Sequence, residues 1–331
     1  MKDNVRSAVV CFGEALVDFL ARPPACADAP RHFVEYAGGA PANVAVAVAR
    51  LEGRARFVGM LGKDMFGDML ASQLQAAGVD TAYVRRTDEA KTALAFVSLD
   101  AHGERSFSFY RPPAADLLFR EAHFEASCFA DAAVFHICSN SLTEAAIAAT
   151  TLAGMRRARD AGALVSMDLN LRPSLWPQGV DPAPRLWDAL LEADLVKLCH
   201  GELEFLAQSA GGMDAVLQRL GQGRAQCVLI TEGAAPIRWF TRTQQGIAPT
   251  FPVQAVDTTA AGDAFVGGWL ESLIDLGVDP GNLAAFLDQP ARLAESLRQA
   301  AVCGALATTR HGAFAAMPTR AEVDHIVRAE P

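Results

Sequence analysis

Short apolar runs separated by longer amphipathic stretches recur along this chain, and that spacing restricts the fold more than any other feature. "AVVCFGEAL" reads as a first buried strand, and "NVAVAVARLEG" as a small-residue helix ending at Gly53. "ARFVGMLG" is a second strand and "FGDMLASQLQAAGV" a helix ending at Gly78. The alternation continues through "AAVFHIC", "EAAIAATTLAGMRRARDAG", "LVSMDLN", "LWDALLEA", "DLVKLC", "GELEFLAQSAG", "AQCVLITEG" and "DAFVGGWLESLIDLG". Apolar strands with helices between them imply an α/β fold with a mostly parallel central sheet, flanked by helices on both faces.

Two stretches break the pattern. "RHFVEYAGG" is strand-like with no helix before it, and "KTALAFVSLDAHGERSFSFYRPP" reads as a hairpin around "DAHGE". These pieces are expected to pair as a small β-sheet lid over about residues 17–37 and 91–111, within a single domain covering residues 1–331. "RPPACADAP" is Pro-rich and short, and reads as a loop.

Composition narrows the function classes. The net charge is −9 with no dense Lys/Arg stripe, which argues against a nucleic-acid partner. No apolar run approaches the roughly 18–20 residues that span a bilayer. Glu14 and Asp18 interrupt the one apolar stretch at the N-terminus, so it makes a poor signal peptide and the cytoplasm is the expected location. Seven cysteines without CxxC spacing read as reduced thiols, and the scattered histidines form no transition-metal motif.

The chemistry concentrates in two stretches. In "VDTTAAGDAFVGG", residues 256–268, small residues stand before an aspartate at the start of an apolar helix. The N–H groups of Ala260, Ala261 and Gly262 can cradle phosphate oxygens there, and Asp263 can accept a proton from an attacking hydroxyl. A carboxylate that merely caps the helix is the plain alternative. In "GGAPANVAVAVARL", residues 38–51, Gly38 and Gly39 permit close backbone approach, and Asn43 offers donors and an acceptor to hydroxyls. Neither GxGxxG nor GxxxxGK[ST] occurs.

Together, "GGAPAN" and "DTTAAGDAF" closely resemble the two signatures of the ribokinase-like (PfkB) carbohydrate kinase family, and the resemblance runs over roughly residues 8–320, including "FVGMLGKDMFGDML". It implies a three-layer α/β fold with a small β-sheet lid, and a kinase that uses ATP and Mg²⁺, with a monovalent-cation site for K⁺. It implies Asp263 as catalytic base and Ala260, Ala261 and Gly262 as the anion hole, although the usual form has glycine at position 260. Asp18, in "GEALVDF", matches a sugar-binding aspartate, and Gly38, Gly39 and Asn43 match sugar-contacting positions.

For the nucleotide, "LITEGAAP" resembles the family's TxGxxG stretch, which implicates Thr231 and Gly233, with Pro236 in place of the final glycine. "KLCHGELEFL" resembles the Asn-x-x-Glu segment. Glu202 keeps the acidic position that organises magnesium through water, and Cys199 replaces the asparagine. "ALATTRHGAFAAMPT" resembles the C-terminal stretch that borders the adenine pocket. The monovalent-cation positions implied are Asp257, Thr259, Ala307, Arg310, Gly312 and Ala316, mostly through backbone oxygen. A helix C-terminus capped by Gly312 is compatible with the same residues.

The substrate is less constrained. "ERSFSFYRPPAADLLF" resembles the fructokinase branch through Tyr110, Arg111 and Asp116, and "MDLNLRPSLW" resembles its D-x-N-x-R-x-x-L-W motif. The same motif occurs in 2-keto-3-deoxygluconate kinases, where Arg172 would grip a carboxylate. An ion pair beneath the lid is the structural alternative for Arg172. The expected activity is phosphorylation of a primary hydroxyl of fructose. A keto-deoxy sugar acid or aminoimidazole riboside is the alternative substrate, and a catalytically inactive sugar-binding regulator the alternative of another class. A homodimer through the lid is also implied.

Overall fold

A computed structural model describes residues 7–22, 30, 32–99, 105–111 and 113–329. The chain enters through β1 (Ala8–Phe12), β2 (Leu16–Arg22), β3 (His32–Gly38) and α1 (Ala40–Arg50). Next come β4 (Ala55–Gly62), α2 (Met65–Ala76), β5 (Val84–Thr87), β6 (Leu94–Leu99) and β7 (Arg105–Tyr110). The middle is β8 (Ala132–Cys138), α3 (Ala145–Asp160), β9 (Leu164–Asp168), α4 (Ala183–Leu190), β10 (Leu195–Cys199), α5 (His200–Ala210) and α6 (Met213–Gln222). The last part is β11 (Cys227–Glu232), β12 (Ala235–Thr241), β13 (Gln245–Ala248), α7 (Ala261–Asp275), α8 (Leu283–Leu287), α9 (Pro290–Ala307) and α10 (Arg320–Ala329).

Nine strands form the large sheet in the order β13-β12-β11-β10-β9-β8-β1-β4-β5. Its pairs are parallel except at one end, where β12 and β13 run antiparallel. Strand alternation sorts the side chains between two cores. Val9 and Cys11 point into one with α1, α7 and α9, whereas Val10 and Phe12 point into the other with α3, α4 and α5. Order reverses at β1, which has β4 on one side and β8 on the other. Ligand crevices in open α/β sheets form at the strand carboxyl ends beside such a reversal.

The expected first strand is two strands. At Gly13 the backbone turns with φ +148°, and a Cβ there would stand 2.6 Å from the Pro41 ring. Beyond the turn, β2 leaves the large sheet and pairs with β3 and β6 in a four-stranded sheet ordered β3-β2-β6-β7. The β6–β7 pair is antiparallel, as expected of the hairpin. Its "DAHGE" turn, and all but the ends of the expected "RPPACADAP" loop, lie outside the described residues.

Two helix ends differ from expectation. α1 stops at Arg50, before Gly53, because Glu52 takes a left-handed φ of 64° that ends the helical ladder. Gly312 does not cap α9, which ends at Ala307 with the Thr308 N–H closing onto the Ala305 carbonyl.

Helix α7 runs between α1 and α9, and paired glycines set the spacing. A Cβ on Gly267 would fall 2.4 Å from the Ala47 Cβ, and one on Gly268 would fall 2.6 Å from the Cys303 sulfur. Both neighbours therefore approach closer than any side chain at these positions permits. Gly267→Val should destabilise the protein by about 1–3 kcal/mol through overpacking. A urea midpoint equal to wild type would show that α1 and α7 can separate without loss.

Candidate active site

The carboxyl ends of β1 and β9 and the start of α7 surround a cavity of about 350 Å³. Glu14, Asp18, Gly39, Asn43, Phe109, Asn140, Asn170, Arg172, Thr259, Ala260 and Asp263 are among the residues that line it. Residues more than 200 positions apart thus share one wall, because β1 and the start of α7 meet there through α1. Asn43 Nδ2 donates to Asp263 Oδ2 at 2.7 Å, directly joining the two sequence stretches.

The start of α7 has the features of an anion site. Ala260 holds a left-handed backbone (φ 59°), and no side chain caps the helix. The Ala261 N–H makes only a long 3.4 Å contact to the Thr258 carbonyl. Uncapped N–H groups at a helix start attract negative charge. Glycine is favoured in this backbone region, so the usual glycine at position 260 has a conformational reason. Asp263 is not the cap, so the plain capping role is set aside.

Asp263 is 7% exposed. Burial pushes its pKa up to about 7; the Asn43 hydrogen bond opposes that rise, the Asp168 charge adds to it, and Lys197 and Arg172 oppose it. Asn170 Nδ2 lies 3.4 Å from Asp263 Oδ1. A carboxylate tuned near neutrality suits a general base.

Glu14 and Asn140 line the cavity beyond what the sequence motifs indicated. Glu14 Oε1 accepts from the Ala40 N–H at 3.2 Å and from Asn140 Nδ2 at 2.8 Å. Burial raises its pKa, and the charge of Arg111 opposes the shift. Arg111 itself forms a buried ion pair with Asp116, so both residues support the floor. Buried Oδ1 atoms of Asn43 and Asn140 have no partner among the described residues. Such acceptors suit a ligand rich in hydroxyl donors. Glu14 sits in the quoted "GEALVDF", and Asn170 in "MDLNLRPSLW"; Asn140 carried no recognisable signal.

Gly38 ends β3 against Asp18, where a Cβ would stand 2.4 Å from the carboxylate oxygen. Gly39, with φ +107°, lets the chain pass the Glu14 carbonyl, which a Cβ would meet at 2.6 Å. Arg172 is exposed and lines the cavity, donating to the Leu171 carbonyl at 3.3 Å. It has no ion pair among the described residues. Tyr110 is not among the residues lining the cavity. It is 66% exposed and packs edge-on against Phe96, while its neighbour Phe109 lines the cavity, because adjacent strand residues face opposite sides.

The remaining expected positions form a second group. Thr231 is the penultimate residue of β11, and Gly233 turns with φ +52° before β12. Glu202 is buried, with one oxygen taking the Leu171 N–H at 2.8 Å and the other the Cys199 N–H at 2.7 Å. Asp257 accepts from the Thr259 and Gly312 N–H groups, tying the two loops together. Ala307 and Ala316 are buried nearby in sequence, and the Arg310 side chain turns away to Glu322. No cluster of three His, Cys, Asp or Glu side chains suited to a metal occurs among the described residues.

Residues 6–320 match the family described as pfkB family carbohydrate kinase. The chain belongs to that family. Among related proteins, Fructokinase-1 of Zea mays is 43% identical over 324 residues, covering 97% of this chain and 98% of that protein. The structure of a fructokinase with bound ATP from Xylella fastidiosa is 55% identical, with a TM-score of 0.95 over 98% of this chain and 99% of that one. A Vibrio cholerae fructokinase in fructose, ADP and calcium ion bound form is 34% identical, with a TM-score of 0.84 over 97% of this chain and 99% of that one. The large and small sheets are thus those of the ribokinase-like fold.

As a pfkB carbohydrate kinase, the chain should lose turnover by at least about 1,000-fold in Asp263→Asn. Burial of this carboxylate favours its protonated form, so its contribution to stability falls as pH rises from about 4 to about 7. The same variant should therefore melt a few degrees higher than wild type at pH 8. The acid limb of kcat/KM should lie near pH 7, and Asn43→Ala should move it upward. A limb unmoved by Asn43→Ala would assign the titration to another group.

Proposed function

We propose that this protein is an ATP-dependent fructokinase, with Asp263 as base and the N–H groups of residues 260–262 as anion hole. The observation that carries the reading is a buried carboxylate, tuned near neutrality, beside an uncapped helix start in the wall of a hydroxyl-seeking cavity. The fructokinases similar to this chain give the sugar. Charge supports the same choice. Glu14, Asp18 and Asp263 line the cavity against one cation, Arg172, so a neutral polyol is better matched than a sugar acid.

Fructose binds against Asp18, Gly39, Asn43 and Arg172, with Phe109 of the small sheet helping to exclude water. Asp263 takes the proton from a primary hydroxyl, whose oxygen attacks the γ-phosphorus in line. The bond to the β-phosphate oxygen breaks, and ADP leaves with that oxygen's negative charge. Donors at the start of α7 receive the charge on the transferring oxygens. Mg²⁺ bound to the nucleotide would supply further charge neutralisation, with Glu202 ordering its water shell. Thr231 and Gly233 border the nucleotide, and the cleft between Pro252 and Ala305 is an apolar place for adenine. Asp257, Thr259, Ala307, Arg310, Gly312 and Ala316 are proposed to hold K⁺ through backbone oxygens.

The small sheet serves as lid, and the proposal includes a homodimer through it. Phe33, Val34 and Tyr110 are exposed there, and Phe96 packs edge-on against both aromatic rings. The dimer gives exposed Tyr110 a setting that the cavity does not. Light scattering should report twice the chain mass, and Tyr110→Asp should shift it toward the monomer. A wild-type monomer at micromolar concentration would remove the dimer. The cytoplasm is the proposed location, consistent with six free thiols among the described residues, five of them buried.

ADP release with Mg-ATP should be at least about 10-fold faster in kcat/KM for fructose than for 2-keto-3-deoxygluconate or aminoimidazole riboside. Preference for the keto acid would make Arg172 a carboxylate clamp and overturn the sugar assignment.

A further inference from the structure

A buried ion pair lies behind the anion hole. Lys197 on β10 holds Asp168 on β9, with Nζ 3.1 and 3.0 Å from the two carboxylate oxygens. The side chains are 8% and 3% exposed. Neither residue lines the cavity, and the mechanism above uses neither. Burying a charged pair is seldom the most stable choice for a core, since apolar residues of similar volume serve as well or better. The position of this pair is therefore informative.

Its cation points at the first turn of α7. A Cβ on Gly262 would stand 3.1 Å from Lys197 Nζ and 3.9 Å from an Asp168 oxygen. Gly262 has a helical φ, so a left-handed backbone does not explain the glycine. What it provides is space: the ammonium reaches the back of the turn whose front carries the anion hole. A positive charge here adds to the field of the helix start, and in a buried site that field is weakly screened.

We propose that Lys197, fixed by Asp168, is a positioning residue for phosphoryl transfer, supplying positive charge to the anion hole and Asp263 through the gap at Gly262. This rests on the kinase reading above. Asp263 is faced by Asn43 from α1, Asp168 and the following residues Asn170 and Arg172 from the β9 end, and Lys197 from β10. Of the charged members, Asp168 favours its protonated form, whereas Lys197 and Arg172 favour the carboxylate. Asp168 and Lys197 thus pull the base in opposite directions while acting as one structural unit. Glu202 also acts on both partners through its charge.

The test compares wild type, Lys197→Met, Asp168→Asn and the apolar double variant Asp168→Leu/Lys197→Met on fructose and Mg-ATP. Lys197→Met should lower kcat about 100-fold with little change in the KM for fructose. It should also raise the acid limb of the kcat/KM profile, because the charge favouring the Asp263 carboxylate is gone. Asp168→Asn should lower that limb. The double variant, which leaves no unpaired buried charge, should melt at or above the wild-type temperature and return the limb toward its original position. Its kcat should stay low. A purely structural pair predicts otherwise: the double variant regains wild-type kcat as it regains stability, and that result overturns the proposal. So does a folded Lys197→Met with wild-type kcat and limb. If Lys197→Met does not fold, the double variant's kcat decides alone. Wild type inactive on fructose would instead refute the sugar assignment, and the same comparison would then use whichever sugar wild type phosphorylates.

Discussion

Asp263 is held out of water by α1 and the carboxyl end of β9, and an ionised carboxylate in such a place must be compensated or take up a proton. The surroundings do some of each. Asn43 donates one short hydrogen bond, and Lys197 and Arg172 contribute charge, yet desolvation and Asp168 leave the group near neutrality. Much of the cavity follows from that balance. The helix start beside the carboxylate has no side-chain cap, which would occupy the donors an incoming phosphate needs.

The arrangement depends on topology as much as on the local residues. Order reversal at β1 sends β4 and β8 to opposite sides and opens a crevice at the strand ends. Into it come Glu14 from the end of β1, Asn140 after β8, and Asn170 and Arg172 after β9. β2 and β7 bring Asp18 and Phe109 from the small sheet. A site assembled from so many segments is polar in its contacts and apolar in its supports. Paired Arg111 and Asp116 under Glu14 show how a buried charge is balanced within that floor.

Much of this was legible in the sequence. The strand–helix alternation gives the large sheet, and the two stretches joined by the Asn43–Asp263 hydrogen bond mark the site. Position 260 was legible as a departure, and its left-handed backbone supplies the reason glycine is usual there. Other features were hidden for physical reasons. "AVVCFGEAL" is largely apolar on both sides of Glu14, and the turn at Gly13 divides it between two sheets. The side on which a strand residue lies depends on its register, so Tyr110 and Phe109 could not be told apart from the motif alone. Asn140 follows an apolar strand with no pattern around it. Asp168 opens the quoted D-x-N-x-R-x-x-L-W motif and Lys197 lies in "DLVKLC", but their pairing was hidden, because ion pairing across neighbouring strands depends on sheet order.

The glycines of α7 have a mechanical corollary. With Ala47 close on one side and Cys303 on the other, the helix carrying Asp263 is wedged like a beam in a mortise. Close-packed helices slide little, so the wall formed by the start of α7 stays where folding leaves it. The opposite bank is β7, which presents Phe109 from a sheet of four strands. One half of the cavity is thereby a fixed anvil, its shape set by helix packing and not by the guest.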